Sequence, residues 1–246
     1  MRYFLEIAYN GANFHGWQVQ HNAYTIQEEL EKALKKLFND SVELTASGRT
    51  DTGVHALQQF AHLDVDKEFT LELLHKLNCM VSREIAILNA FRVKDDAHAR
   101  FDATSRTYEY RICPNKDPFL KGLTLHYPKT LNVDLMNEAA QVFYKHTDYQ
   151  SFSKVHTSVD HFLCTITHAG WQRQGKLLVF TVEANRFLRG MVRAIVGTLL
   201  EVGKEKLSIA EFEQIILSKD RKAAGMAVSP EGLFLTKVTY PKEIFL

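Results

Sequence analysis

The sequence is short of cysteine, of long apolar runs and of an excess of either charge. Its three cysteines, Cys79, Cys113 and Cys164, are far apart, odd in number and free of any CxxC pairing. That excludes a disulfide-framed secreted domain and makes the reducing cytoplasm the expected compartment. No apolar stretch approaches the ~18 residues a membrane span needs. The start, Met1-Arg2-Tyr3-Phe4-Leu5-Glu6, places an acid where a leader peptide would be apolar, so no export signal is expected. Thirty basic residues face 29 acidic ones for a net charge of +1, which excludes a blanket polycation but leaves room for a locally basic site. The eleven histidines form no HExxH motif. His156, His161 and Cys164 lie close together in a polar stretch, but their spacing does not make a metal the expectation. What remains is ordinary globular material, 46% hydrophobic and 24% charged over 246 residues, enough for one large or two modest domains with a core that needs no staple.

Two runs of elements follow one another. Tyr3–Tyr9 alternates like a strand. Thr25-Ile26-Gln27-Glu28 has the form of a capping box, opening a helix with Ile26, Leu30, Leu34, Leu37 and Phe38 at helical spacing. Val42–Ala46 and Val54–Asp64 read as strands, Leu71, Leu74 and Leu77 mark a second helix, and Ile85–Val93 is another strand. A comparable order then recurs. It comprises a strand at Thr104–Cys113, a helix through Val133, Met136, Ala140 and Phe143, and a hairpin of Phe162–Gln172 with Leu177–Ala184. A helix over about Phe187–Val202, a capping box at Ser208-Ile209-Ala210-Glu211 and a final strand Leu233–Tyr240 complete it. The expected fold is α+β, with two ferredoxin-like split-βαβ halves, 1–100 and 101–246, sharing an extended, mostly antiparallel sheet with helices on one side.

Three segments carry chemistry. In Gly48-Arg49-Thr50-Asp51-Thr52-Gly53-Val54-His55-Ala56, two glycines bracket an arginine and an aspartate between strands. Such a loop can present the Asp51 carboxylate at a site, or Asp51 can simply close an Asx turn. It is not a phosphate-binding P-loop, because Val54-His55 follows the second glycine instead of Lys-Ser/Thr. In Arg106-Thr107-Tyr108-Glu109-Tyr110, alternate residues place Arg106, Tyr108 and Tyr110 on one strand face. Unstacked bases and phosphates favour that company, and ordinary sheet surfaces also show it. In Arg186-Phe187-Leu188-Arg189-Gly190-Met191-Val192-Arg193, three arginines without an acid are expected on one side of a helix. They form either a solvated cationic face or a set with one member paired to a carboxylate.

Taken in order, these segments resemble the tRNA pseudouridine synthase A family over nearly the whole chain. The resemblance also rests on Tyr9-Asn10-Gly11-Ala12-Asn13-Phe14-His15-Gly16-Trp17-Gln18, His98-Ala99-Arg100-Phe101, Tyr149-Gln150-Ser151-Phe152, Met191-Val192-Arg193 through Gly197, and Glu231-Gly232-Leu233-Phe234-Leu235. That family modifies uridines at about positions 38–40 of the tRNA anticodon stem-loop, where the base must first leave the stack. The resemblance implies an isomerase without cofactor or metal, acting as a homodimer with tRNA spanning both subunits. Asp51 matches the catalytic nucleophile, Arg193 the arginine paired with it, Tyr108 the residue stacking on the target base, and Arg49 the one that keeps the target flipped out. Arg106, Arg186 and Arg189 are weaker candidates for RNA contact. The chain departs from the family pattern at Leu77-Asn78-Cys79-Met80-Val81, Ser158-Val159-Asp160-His161 and Arg189-Gly190. A non-catalytic RNA-binding protein on the same fold is the rival expectation, and a nucleoside hydrolase using the same carboxylate is a third.

Overall fold

A computed structural model of the chain describes residues 1–155 and 159–246. In chain order the regular elements are β1 (Arg2–Tyr9), α1 (Ile26–Phe38), β2 (Thr45–Ala46), β3 (His55–Asp64), α2 (Leu71–Met80), β4 (Ile85–Arg92), β5 (Ser105–Cys113), β6 (Leu125–His126), α3 (Val133–Gln141), β7 (Ile166–Gln174), β8 (Leu177–Ala184), α4 (Met191–Gly203), α5 (Ile209–Ser218) and β9 (Leu233–Thr239). The class is α+β with mostly antiparallel strand pairing, as expected. Two compact units emerge: Met1–Thr104 with Phe234–Leu246, and Ser105–Leu233. Among the described residues, no helix is long and apolar enough to cross a membrane.

The first unit is laid out by the alternation in β1. Its strands run in the order β4-β1-β3-β9, with β2 on β3, and only β3 and β9 are parallel. Tyr3, Leu5, Ile7 and Tyr9 share one face at period two, and all are buried. The Tyr3 ring lies 5.9 Å from that of Phe69, just ahead of α2. Asn78 of α2 brackets Ile87 of β4, donating to its carbonyl and accepting from its amide, both at 2.9 Å. Thr25 caps α1 through the Glu28 amide, whereas the Glu28 carboxylate pairs with Lys32. Phe4 points to the opposite face, where its ring lies 5.1 Å from Tyr240 and 6.3 Å from Phe245. Those contacts, with β9 pairing His55–Ala56 through Phe234–Leu235, explain why 234–246 groups with the first unit and not with 105–233.

The second unit has the order β5-β8-β7, antiparallel, with β6 parallel to β5. Tyr108, Tyr110 and Ile112 stand opposite Val182, Phe180 and Leu178. Helix α3 is tied to β7 by Asn137, which accepts from the Trp171 amide at 2.7 Å and donates to its carbonyl at 3.1 Å. Ser208 and Glu211 form the full reciprocal capping box on α5. One expectation is corrected here. Helix α4 begins at Met191, not Phe187, because Gly190 takes a left-handed conformation (φ +71°) at its N-cap. Arg186 and Arg189 therefore lie in the preceding loop, and only Arg193 is on the helix.

Candidate active site

In the first unit, the Asp51 loop is held by the segment that follows β1. Gly16 crosses directly beneath it with φ +85°. A Cβ at that position would come within 2.5 Å of the Thr50 carbonyl oxygen and 3.1 Å of the Asp51 carbonyl carbon. Hence the residue at 16 must be glycine, for its conformation and for its closeness to the loop. The Trp17 amide donates to Thr50 O (3.1 Å), the Gly53 amide to Phe14 O (3.2 Å) and the Val54 amide to Asp51 O (3.2 Å). Thr50 is buried, and its hydroxyl meets the Tyr9 hydroxyl at 2.8 Å. On the strand side, the Gly11 amide donates to His55 Nδ1 at 3.1 Å. Gln59 completes the frame, donating to Gly48 O at 2.8 Å and accepting from the Ser47 hydroxyl. Loop backbone groups thus find internal partners, while Asp51 is half-buried and Arg49 exposed.

In the second unit, Tyr108 is half-buried on β5, its ring edge-on to Phe187 at 5.1 Å. Arg106, two residues earlier, donates to the Asn185 carbonyl at 2.9 Å. Arg193 sits in the first turn of α4 and is gripped twice by Val228: its Nε donates to Val228 O at 2.7 Å, and its carbonyl accepts from the Val228 amide at 3.2 Å. That segment can approach α4 because position 197 is glycine; a Cβ there would lie 1.8 Å from the Met226 carbonyl oxygen. Nearby, the Tyr110 hydroxyl, raised above its ordinary range chiefly by burial, donates to Ser229 O at 2.8 Å. Arg186 reaches His161, with Nη1 3.1 Å from Nε2, and Arg189 is exposed. No acid lies in the first turn of α4. Cys164 is buried, and its thiol is pushed up to about 11 by that burial, which leaves it an inert group. His156 and Ser158 lie outside the described residues.

The chain matches the family model described as tRNA pseudouridine synthase over residues 7–102 and 139–241. This chain belongs to the tRNA pseudouridine synthase family. It is 48% identical over 246 residues to tRNA pseudouridine synthase A of Parabacteroides distasonis, covering 99% of this chain and 98% of that protein. It is 46% identical over 252 residues to the enzyme of that name from Bacteroides fragilis, again covering 99% and 98%. At greater distance, the one from Colwellia psychrerythraea is 38% identical over 253 residues, covering 100% of this chain and 96% of the relative.

Within this family frame, Asp51 and Arg49 share one loop of the first unit. Tyr108, Arg106, Arg186, Arg189 and Arg193 belong to the second. Residue types left Asp51 open between a presented carboxylate and an Asx turn, and the family resemblance gave it its role; neither assigned a role to the parts that fix it, Gly16, Thr50, His55 and Gln59. Gly16 carried a signal in the Tyr9–Gln18 run, whose Gly and aromatic content marks a close backbone approach, and Thr50 and His55 carried one in their place within Gly48–Ala56. Val228 left no such signal, because it acts through its backbone.

Proposed function

We propose that this chain converts uridine to pseudouridine at about positions 38–40 of the tRNA anticodon stem-loop, bases that must be drawn out of the stack to react. Asp51 is the nucleophile. The observation that carries this reading is the loop frame, which holds the Asp51 backbone by hydrogen bonds on both flanks at 3.1–3.2 Å while leaving the residue itself half-buried. Attack by the carboxylate, at ribose C1′ or at C6 of the base, loosens the N1–C1′ bond. Uracil then turns and its C5 bonds to C1′. The C5 proton departs, N1 takes up a proton, and the carboxylate is released unchanged. The conversion is an isomerisation with no net redox change, so its own balance calls for no cofactor.

The remaining roles follow the family resemblance. Tyr108 stacks on the extruded uracil, a contact that offsets part of the unstacking cost of a few kcal/mol. The Phe187 ring set against Tyr108 supports this by limiting its rotation. Arg193 is the guanidinium that keeps the nucleophile ionised, and the Val228 bond at its Nε orients it. Arg49 holds the flipped target, while Arg106, Arg186 and Arg189 contact phosphates. With a chain charge of only +1, a homodimer that doubles these cationic surfaces is the working assembly in the cytoplasm. The test is chemical mapping of pseudouridine in unmodified tRNA transcripts bearing uridine in the anticodon arm, with no cofactor added. Product confined to that arm is expected, and no product from several such transcripts would remove the proposal.

A further inference from the structure

Ahead of β5, residues 98–102 form a turn whose backbone is fixed from both sides. The His98 amide donates to the Asp102 carboxylate at 2.7 Å, and the Asp102 amide returns to His98 O at 3.0 Å. His98 Nδ1 accepts from the amides of Arg100 and Phe101 at 3.1 and 3.4 Å. From below, Ala99 is clasped twice: its amide donates to Nδ1 of buried His62 at 3.1 Å, and its carbonyl accepts from the Tyr240 hydroxyl at 2.6 Å. The two imidazoles meet edge-on at 4.7 Å. Burial is the chief force lowering both histidines, His62 to about 4, so their Nδ1 atoms remain acceptors at neutral pH.

This much order is spent on a turn that displays an apolar ring to water. Phe101 is 73% exposed, rests against the His98 ring at 4.3 Å, and has the Arg100 guanidinium carbon 5.5 Å from its centre. Scattered exposed apolar side chains are common. A rigid one carrying a cation on its ring is a ready-made surface for an unstacked base. We infer that the Phe101–Arg100 turn is a second nucleobase-stacking contact, one that grips the tRNA at a nucleotide other than the uridine being modified. The inference rests on the tRNA-modifying reading above.

Its test uses the full-length protein, unmodified tRNA transcript and three variants: Phe101→Ala, Phe101→Leu and Phe101→Trp. Because the ring is largely in water, all three should keep the wild-type melting temperature. A stacking contact predicts that Ala and Leu raise the tRNA Kd and KM by roughly tenfold to a hundredfold, with kcat at saturation little changed, while Trp restores both. The fluorescence of the introduced Trp should be quenched on tRNA addition beyond any change in the wild type. A tRNA Kd within twofold of wild type for Phe101→Ala would overturn the inference. So would a leucine variant as good as tryptophan, or a loss of self-association in place of tRNA affinity. If the wild type makes pseudouridine but Phe101→Ala binds normally, this contact falls and the activity stands. If no variant or wild type makes pseudouridine, yet Phe101→Ala weakens tRNA binding, the contact stands and the activity falls.

Discussion

Replacing Gly16 by alanine drives a methyl group into the backbone beneath Asp51. Two costs add. At φ +85° a side-chain-bearing residue is disfavoured by roughly 1–2 kcal/mol, and forcing a carbon to 2.5 Å from the Thr50 carbonyl oxygen adds overpacking of roughly 1–3 kcal/mol. A total of roughly 2–5 kcal/mol lowers the melting temperature by roughly 5–15 °C in a chain of this size. The catalytic effect is separate. To restore ordinary contact, the Thr50 carbonyl must retreat by about an ångström and the Asp51 backbone bonded to it must shift along with it by at least a few tenths, and misplacement approaching an ångström costs about a hundredfold in rate. The assay is release of tritium from C5 of uridine in labelled tRNA, run well below the melting temperature of the variant, alongside tRNA binding. Gly16→Ala should show kcat/KM down by about a hundredfold with a Kd close to wild type. A variant with a melting temperature within about 2 °C of wild type and kcat/KM within twofold of it would refute the claim that this glycine sets the height of the Asp51 loop.

Tyr108→Phe keeps the ring and its packing on Phe187, so turnover should stay within a few-fold, whereas Tyr108→Ala should cost about tenfold to a hundredfold in kcat/KM. A severe defect in the Phe variant would show that the hydroxyl takes part. Arg193→Leu should lose about a hundredfold or more in kcat with near-UV circular dichroism retained, and Arg193→Lys should recover only part of it, because a lysine keeps the charge but not the Nε donor to Val228. Near-normal rates in the Leu variant would remove Arg193 from the chemistry. His62 supplies a pH test. Its folded pKa, lowered by burial to about 4, lies below the unfolded value of 6.5, so the unfolded chain binds the extra proton first. Stability is therefore full above about pH 6.5 and declines as pH falls toward 4, by at most about 3 kcal/mol. Arg2, His98, Asp64 and Asp102 act on the same ring, Arg2 and His98 lowering its pKa and the two carboxylates raising it. His62→Asn should flatten the decline in melting temperature across that window, and an unchanged slope would assign it to other groups.

The alternation in β1 and the apolar spacing of α1 were readable because burial of one face imposes those periods directly. Helix α4 was misplaced at its start because Phe187 and Leu188 continue the apolar pattern, and pattern alone does not weigh a left-handed glycine at 190 against it. The short strand β6 left no trace, since two residues show no period. The grouping of 234–246 with the first unit depends on Tyr240 and Phe245 meeting Phe4, a contact between chain ends that local spacing does not encode. For the site, glycine spacing and residue type left Asp51 with two readings, a presented carboxylate or an Asx turn, and the family resemblance chose between them. Its supporting cast is mostly backbone carbonyls and amides, which every residue carries and no residue type advertises.

The central claim is that the Asp51 carboxylate attacks the nucleotide. The direct measurement compares wild type and Asp51→Asn on one unmodified tRNA, recording pseudouridine in the anticodon arm and tRNA affinity on the same preparations. The account predicts normal affinity and no pseudouridine above background from the Asn variant. Pseudouridine formed by Asp51→Asn at a rate near that of the wild type would contradict it.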